Sequence, residues 1–259
     1  MDLDILDVAI FDGEALRPEN RVSIRDGIIT EIGTGPAAVP AERTITAEGR
    51  LLTPGFVDAH VHTTFGGQEA LACDISAAGT LNEALQMIRN YVADTASTTD
   101  PANDWVIGGG WSMSHFPGGD PSADILDEAC PDRPAILLSA DHHSAWVNTK
   151  AMAAAGLDET TAAPAGGVIV TDSTGRPSGC LHESAIDLVS AHVPAASDEE
   201  VLAGLREGQR YLNSLGVTAW MDAIVGDYGG HRDPYGTYVG AEESGELHSE
   251  VVGSLWWPR

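Results

Sequence analysis

The spacing of apolar residues predicts an amphipathic helix over Ser197 to Gly216. Apolar side chains recur there at helical intervals, which is typical of a helix that packs one face on a core. Ser197 and Glu200 have the spacing of a capping box, and Gly216 suits a helix end. The predicted buried face consists of Val201, Leu205, Leu212 and Leu215.

A second amphipathic helix is predicted over Thr80 to Val92. Thr80 and Glu83 again have the spacing of a capping box. Packing on a core is sufficient to explain its apolar stripe, so the stripe by itself predicts no function. The stripe consists of Leu81, Leu85, Ile88 and Val92.

Short apolar runs that are broken by glycine or proline predict strands along most of the chain. Asp12-Gly13 and Asp26-Gly27 follow such runs near the N-terminus, and Asp-Gly between apolar runs indicates a hairpin. From residue 197 onward, helices and strands alternate, which predicts parallel βα units. The predicted strands are 5–11, 22–25, 28–32, 56–61, 105–111, 134–139, 166–170, 180–183, 217–225 and 251–257, with further helices at 151–155 and 238–243.

One of these strands carries candidate chemistry. The stretch Thr53 to Gly67 reads TPGFVDAHVHTTFGG. Side chains alternate faces along a strand, so Asp58, His60 and His62 are expected on one face. Neutral imidazole is a common ligand of zinc and similar divalent metals. An HxH pair alone arises easily by chance, and the turn and the apolar strand around this pair give it weight.

The full stretch resembles the first metal-binding strand of the amidohydrolase superfamily. The chain then reads GGGW, PDRPAILLSADHHSAWVNTKAM and GGVIVTDSTGRPSGCLHE in that order, which is similar to the YtcJ-like branch, the amidohydrolase 3 group that includes N-substituted formamide deformylases. The resemblance implies a catalytic divalent metal, expected to be zinc, that activates water. It also implies hydrolysis of carbon–nitrogen bonds other than peptide bonds, in an amide or formamide substrate.

The resemblance assigns roles to individual residues. His60 and His62 are the implied metal ligands. Glu183 matches the G-x-L-x-E motif of the family as a catalytic or metal-ligating carboxylate, and the alternative is a solvated glutamate at a hairpin end. Asp58 is expected in a catalytic supporting role, orienting a ligand, and the alternative is a structural hydrogen bond at the strand end. The residues expected to bind substrate are Trp111, His143 and Asn148.

The remaining candidates are expected to be structural. Asp222 lies at the C-terminal end of the predicted strand 217–225 and is expected to be a carboxylate at the rim of the core. The cysteines, Cys73, Cys130 and Cys180, show no CxxC or zinc-finger spacing and are expected to be small buried side chains. Surface or structural roles are expected for His115, His182, His192, His231 and His248.

The expected fold class is α/β, a partial TIM-like (β/α)8 barrel with a small N-terminal β-sheet unit and an α+β insertion. The expected domains are a β-rich unit (1–52), the first metal-binding strand and loop (53–80), an insertion (81–196) and a partial barrel (197–259). A whole barrel needs about 250 residues, whereas these barrel segments provide about three strands. The histidines and the aspartate that the family carries late in its barrel are missing. The chain is therefore expected to be a truncated or split form that a second chain completes, or an inactive fragment.

Charge narrows the set of partners. The chain has 39 acidic and 13 basic residues, a net charge of −26, and Lys150 is its one lysine. The negative electrostatic field around such a chain disfavours nucleic acids and anionic membranes as partners, because both are polyanions. We interpret the acidic excess as a surface adapted to high salt, and the alternative is an acidic binding module for basic partners without metal chemistry.

The start, MDLDILDVAI, does not resemble a signal peptide, and no apolar run approaches the ~20 residues of a membrane span. We expect a reduced, cytoplasmic protein that acts on a small molecule.

Overall fold

The computed structural model describes residues 2–96, 104–227 and 231–257, and they form an α/β fold in two compact units, Met1–Val57 and Asp58–Arg259. In the described parts, no helix is both long and apolar enough to cross a membrane. The strands are β1 (Leu3–Leu6), β2 (Ala9–Ile10), β3 (Arg21–Arg25), β4 (Ile28–Gly33), β5 (Arg43–Thr46), β6 (Leu51–Leu52), β7 (Phe56–Val61), β8 (Cys73–Asp74), β9 (Val106–Trp111), β10 (Ala135–Ser139), β11 (Ser144–Val147), β12 (Val168–Thr171), β13 (Pro177–His182), β14 (Val217–Val225) and β15 (Glu250–Leu255). The helices are α1 (Thr63–Leu71), α2 (Leu81–Thr95), α3 (Ala123–Asp127), α4 (Thr149–Ala155), α5 (Asp187–Ser190), α6 (Asp198–Ser214) and α7 (Tyr235–Ser244).

The N-terminal unit is β-rich. Its four-stranded sheet has the order β4-β3-β1-β5, and β2 pairs with β6. Asp26 and Gly27 both adopt left-handed backbone angles, with φ of 51° and 79°. A turn of this kind matches the twist of a hairpin, and β3 and β4 pair antiparallel across it. The hairpin predicted from the Asp-Gly pair is confirmed.

Asp4 makes the N-terminal unit sensitive to acid. Its carboxylate accepts hydrogen bonds from Arg25 Nη1 at 3.0 Å and from the Ala41 backbone N–H at 2.9 Å. These bonds lower the pKa of Asp4 to about 2. Because this folded-state pKa lies below the unfolded value of about 3.9, the stability that Asp4 contributes is complete above about pH 4 and is lost as the pH falls toward 2.

We expect Asp4→Asn to flatten the acid dependence of the N-terminal unit. Asparagine does not ionise, so the urea midpoint of the unit, followed by amide hydrogen exchange at its strands, should fall less between pH 4 and pH 2 than in the wild type. Glu42→Gln is the control, because Glu42 is an exposed carboxylate of the same unit. A wild-type acid profile in Asp4→Asn would contradict this role.

The larger unit contains a mixed six-stranded sheet with the order β12-β13-β11-β10-β9-β8. Strands β8, β9 and β10 run parallel, and β10, β11, β13 and β12 are joined by antiparallel pairs. The hairpin predicted around residues 166–183 is therefore confirmed as β12 and β13. The sheet starts at Cys73, earlier than the expected start of the insertion at residue 81.

Helix α2 packs on this sheet through the predicted stripe. Leu85 and Ile88 are buried, and Leu81 and Val92 pack against the same cluster at partial burial. Thr80 Oγ1 accepts a hydrogen bond from Glu83 N. The Glu83 carboxylate accepts from the N–H of Gly79 instead of Thr80, so the predicted cap is confirmed and its reciprocal bond is displaced by one residue.

A second sheet, with the order β15-β14-β7, contains the candidate metal strand. Strand β7 has the predicted bounds, and β14 and β15 are parallel. Within the described ranges these three strands form an open sheet, and no closed barrel is present. Helix α6 packs beside it with a complete capping box between Ser197 and Glu200. Its predicted buried face is wrong at Leu215, which is 54% exposed.

The sequence patterns did not predict α1, which directly follows His62. Gly67 of α1 lies against Gly204 of α6, where an added Cβ would stand 1.8 Å from the Gly204 carbonyl oxygen. A Cβ on Gly208 would stand 2.2 Å from the Thr63 carbonyl oxygen. The two helix backbones therefore touch, and this contact fixes the chain immediately after His62.

Candidate active site

Strand β7 brings His60 and His62 together at its end. Their ring centroids are 5.3 Å apart, with the planes at 82°. Two imidazoles that share one tetrahedral zinc, each with a Zn–N distance of about 2.1 Å, have centroids about 5 Å apart. Within the described residues, Nδ1 of His62 is buried without a hydrogen-bond partner. A buried, unpaired nitrogen calls for an explanation, and a divalent metal ligand is one that fits this pair.

Aromatic rings extend from His62. Phe65 stacks near His62 at 6.1 Å between centroids and on His231 at 4.2 Å. Burial lowers the pKa of His231, and the nearby His142 and His62 lower it further. His231 is therefore held neutral near His62, a position that no motif in the sequence predicts.

A buried carboxylate lies next to this group. Asp222 on β14 is 2% exposed, in agreement with the expected core position. Tyr238 Oη donates to Asp222 Oδ2 at 2.6 Å, and the Ile224 N–H donates to Oδ1 at 3.2 Å. Burial raises the pKa of Asp222, against the lowering effects of the Tyr238 hydrogen bond and of His62. Asp222 and Tyr238 form a hydrogen-bonded wall beside His62.

The structure brings two other predicted residues together. Glu183 follows β13, and its carboxylate lies 3.1 Å from His143 Nδ1. Glu183 has a left-handed backbone, with φ of 51°, a strained conformation that is common at functional sites. Both side chains are more than half exposed. They are therefore free to contact a ligand.

Asp58 makes the structural hydrogen bond that is the alternative to its predicted supporting role. Its Oδ1 accepts from the His60 backbone N–H at 2.9 Å. This bond holds the backbone of one predicted ligand.

The described residues do not gather Glu183 or Asp58 into a three-ligand group with His60 and His62. One group of three does exist in the described ranges. It consists of Asp120, Cys180 and His182, whose ligand atoms all lie within 4.8 Å of one another. Burial and the neighbouring Asp120 raise the pKa of Cys180 to about 12, so without a metal its thiol is protonated.

Asn148 is a correction to the predicted substrate contacts. It is fully buried, and its amide is saturated by four backbone groups. Oδ1 accepts from Ala135 N and Ala151 N, and Nδ2 donates to Cys130 O and Arg133 O. This side chain therefore has a structural role, and no part of it is exposed for contact with a substrate.

Trp111 is also fully buried, and its indole N–H donates to Leu137 O at 2.8 Å. It lies beneath a depression of about 260 Å³ that Ser112 and Asp141 help to line. Its substrate role, like that of the exposed His143, stays a prediction.

The model of the amidohydrolase family matches residues 43–255 of the sequence. The chain belongs to the amidohydrolase family. The chain is YtcJ-like: it is 32% identical to the YtcJ protein of Bacillus subtilis, which is named a putative amidohydrolase, over 89% of this chain and 45% of that protein. It is 30% identical to the N-substituted formamide deformylase of Arthrobacter pascens, over 65% of this chain and 31% of that enzyme. The resemblance inferred from the motifs is confirmed.

The fold agrees with this assignment. A metal-dependent hydrolase of Pyrococcus furiosus superposes with a TM-score of 0.66 at 17% identity, over 98% of this chain and 50% of that chain. The chain thus spans half or less of the length of these relatives.

Proposed function

We propose that this chain carries the first part of the active site of a metal-dependent hydrolase. Its substrates would be small amides or N-substituted formamides, in which a carbon–nitrogen bond other than a peptide bond is cleaved. The observation that carries the proposal is the pair of His60 and His62, with rings 5.3 Å apart and an unpartnered buried Nδ1 on His62. The formamide-type substrate is suggested by one relative, which is named as an N-substituted formamide deformylase.

Several residues of the chain would have roles in this site. His60 and His62 hold the metal, which when bound polarises a substrate carbonyl and lowers the pKa of water. Asp58 positions the backbone of His60 through its hydrogen bond. Glu183 is proposed as a further carboxylate of the site, held in place by His143.

The three-stranded sheet would be the start of a (β/α)8 barrel. Its open form supports this interpretation, because β7 and β15 are the sheet edges among the described strands and unpaired edges favour further pairing. The coverage of about half of each relative supports it as well. The remaining strands would come from additional chain or from a second chain, and they would bring the general base.

The double variant His60→Ala/His62→Ala tests the metal site. We expect it to bind one zinc ion fewer per chain than the wild type after equilibration in buffered zinc. The reason is that, among the described residues, no further metal-ligating side chains group with His60 and His62 and could hold this ion without them. Bound metal is measured by elemental analysis, and hydrolysis is measured with a panel of N-substituted formamides. His192→Ala is the matched control, because His192 is exposed and follows α5, outside the strand that carries the pair.

Equal zinc content and equal hydrolysis in the double variant and in the control would refute the proposal. Loss of zinc without any hydrolysis by the wild-type chain would favour the fragment alternative, in which the site binds metal but needs the remaining strands.

A further inference from the structure

Strand β13 presents a second pair of metal-ligating side chains. Cys180 and His182 are two residues apart, so they lie on one face of the strand, while Leu181 faces the core on the other side. His60 and His62, at the end of β7, have the same spacing of two residues. Asp120, in the loop before α3, approaches this face and completes a group of three.

The distances within this group are those of a metal site. His182 Nε2 lies 3.2 Å from Asp120 Oδ1, Cys180 Sγ lies 3.7 Å from Nε2, and Sγ lies 3.8 Å from Oδ1. Around a tetrahedral zinc ion with normal bond lengths, the corresponding N–O, N–S and S–O separations are about 3.3, 3.6 and 3.5 Å. The three ligand atoms therefore need to move by only a few tenths of an ångström to share one ion.

A neighbour of His182 holds the ring in the required orientation. Ser144 lies directly opposite His182 in the antiparallel pair of β11 and β13, and its Oγ is 2.8 Å from His182 Nδ1. Ser144 is buried, and its backbone N–H donates to Ser139 Oγ. When Nδ1–H donates to Ser144, the lone pair of Nε2 points to the group, an arrangement that is typical around metal-binding histidines.

We infer that Asp120, Cys180 and His182 form a site for a zinc-class divalent ion, separate from the His60–His62 pair. A thiolate, an imidazole and a carboxylate suit zinc and disfavour magnesium and calcium, which prefer oxygen ligands. On binding, Cys180 Sγ–H loses its proton to solvent and forms a metal–sulfur bond. Three protein ligands leave a fourth position for water, and the 44% exposed side chain of Asp120 provides access.

Cobalt(II) is the probe, because a cobalt–thiolate bond gives an intense near-ultraviolet charge-transfer band and ligation by His60 and His62 does not. We expect the full chain to show this band at one ion per chain. His60→Ala/His62→Ala and Cys73→Ala should retain it, since Cys73 is an equally buried cysteine outside the group. Cys180→Ala should abolish it. Retention in the histidine double variant makes this result independent of the proposed hydrolase site.

Asp120→Asn separates loss of the site from loss of folding, because the side chain of Asp120 is exposed and its replacement should leave the fold intact. We expect it to weaken cobalt binding at least about tenfold while the far-ultraviolet circular dichroism spectrum stays unchanged. The inference is wrong if the folded wild type shows no band, which would leave Asp120 and His182 as a simple ion pair. It is equally wrong if Cys180→Ala keeps the band or if Asp120→Asn binds cobalt as tightly as the wild type.

Discussion

Asn148→Ala is expected to destabilise the larger unit by about 4 kcal/mol. The substitution leaves two backbone N–H groups and two carbonyls without their partners, and each lost bond at a buried group costs about 1 kcal/mol. The residue also caps α4 through its bond from Ala151 N, and loss of such a cap is part of the same cost. Asn148 joins β10, α4 and the turn before β10, so its loss affects all three.

Urea unfolding followed by tryptophan fluorescence measures this effect. All six tryptophans lie beyond residue 104, so the signal reports the larger unit alone. Asn82→Ala is the control: Asn82 is exposed on α2, and we expect a change within about 0.5 kcal/mol. If Asn148→Ala unfolds like the wild type but raises KM for a substrate, the sequence-based substrate role is right and the structural role is wrong.

Gly208→Ala is expected to destabilise the same unit by about 3 kcal/mol. Its new methyl group would overlap the Thr63 carbonyl oxygen, at 2.2 Å, and the Thr63 Cγ2 methyl group, at 2.8 Å. The backbone of Thr63 cannot rotate away as a flexible side chain can, so α1 must move away from α6. We therefore expect a free-energy cost at the upper end of the usual range for overpacking. Because α1 starts directly after His62, we also expect weaker metal binding at the His60–His62 pair.

Gly240→Ala provides the matched control for Gly208→Ala. Gly240 lies in α7, and a Cβ there meets no atom within 4 Å. Alanine should therefore raise the stability by about 0.5–1 kcal/mol through its better helix propensity. The same fluorescence measurement applies to both variants. Equal stability of the two variants would show that α1 and α6 are not in backbone contact.

Local signals in the sequence were sufficient for most elements. The Asp-Gly pair at residues 26 and 27 set the β3–β4 hairpin, because few residue pairs tolerate its backbone angles. The Ser197–Glu200 box set the start of α6, since its hydrogen bonds span only three residues. The HxH pattern placed His60 and His62 on one face, because strand geometry has a fixed period of two.

Local signals failed where a distant contact decided the structure. Helix α1 contains Thr63, Thr64, Gly66 and Gly67, which are poor helix formers. It forms because glycines on α6 allow the two helix backbones to touch, and α6 lies more than 130 residues away in the chain. The prediction that Leu215 is buried failed because a period of 3.6 residues identifies the apolar face of a helix but does not tell where the element packed against that face ends.

The sequence by itself determined the family, the N-terminal hairpin, the principal helices and the histidine pair at the end of β7, because motif spacing and strand or helix periodicity are properties of consecutive residues. Only the tertiary structure decided that Asn148 is a structural residue, that His231 lies near His62, and that Asp120 meets Cys180 and His182. Each of the three depends on a contact between residues far apart in the chain: 13 positions for Asn148 and Ala135, 60 for Asp120 and Cys180, and 169 for His62 and His231. Such contacts arise from the packing of whole elements, which no local pattern encodes.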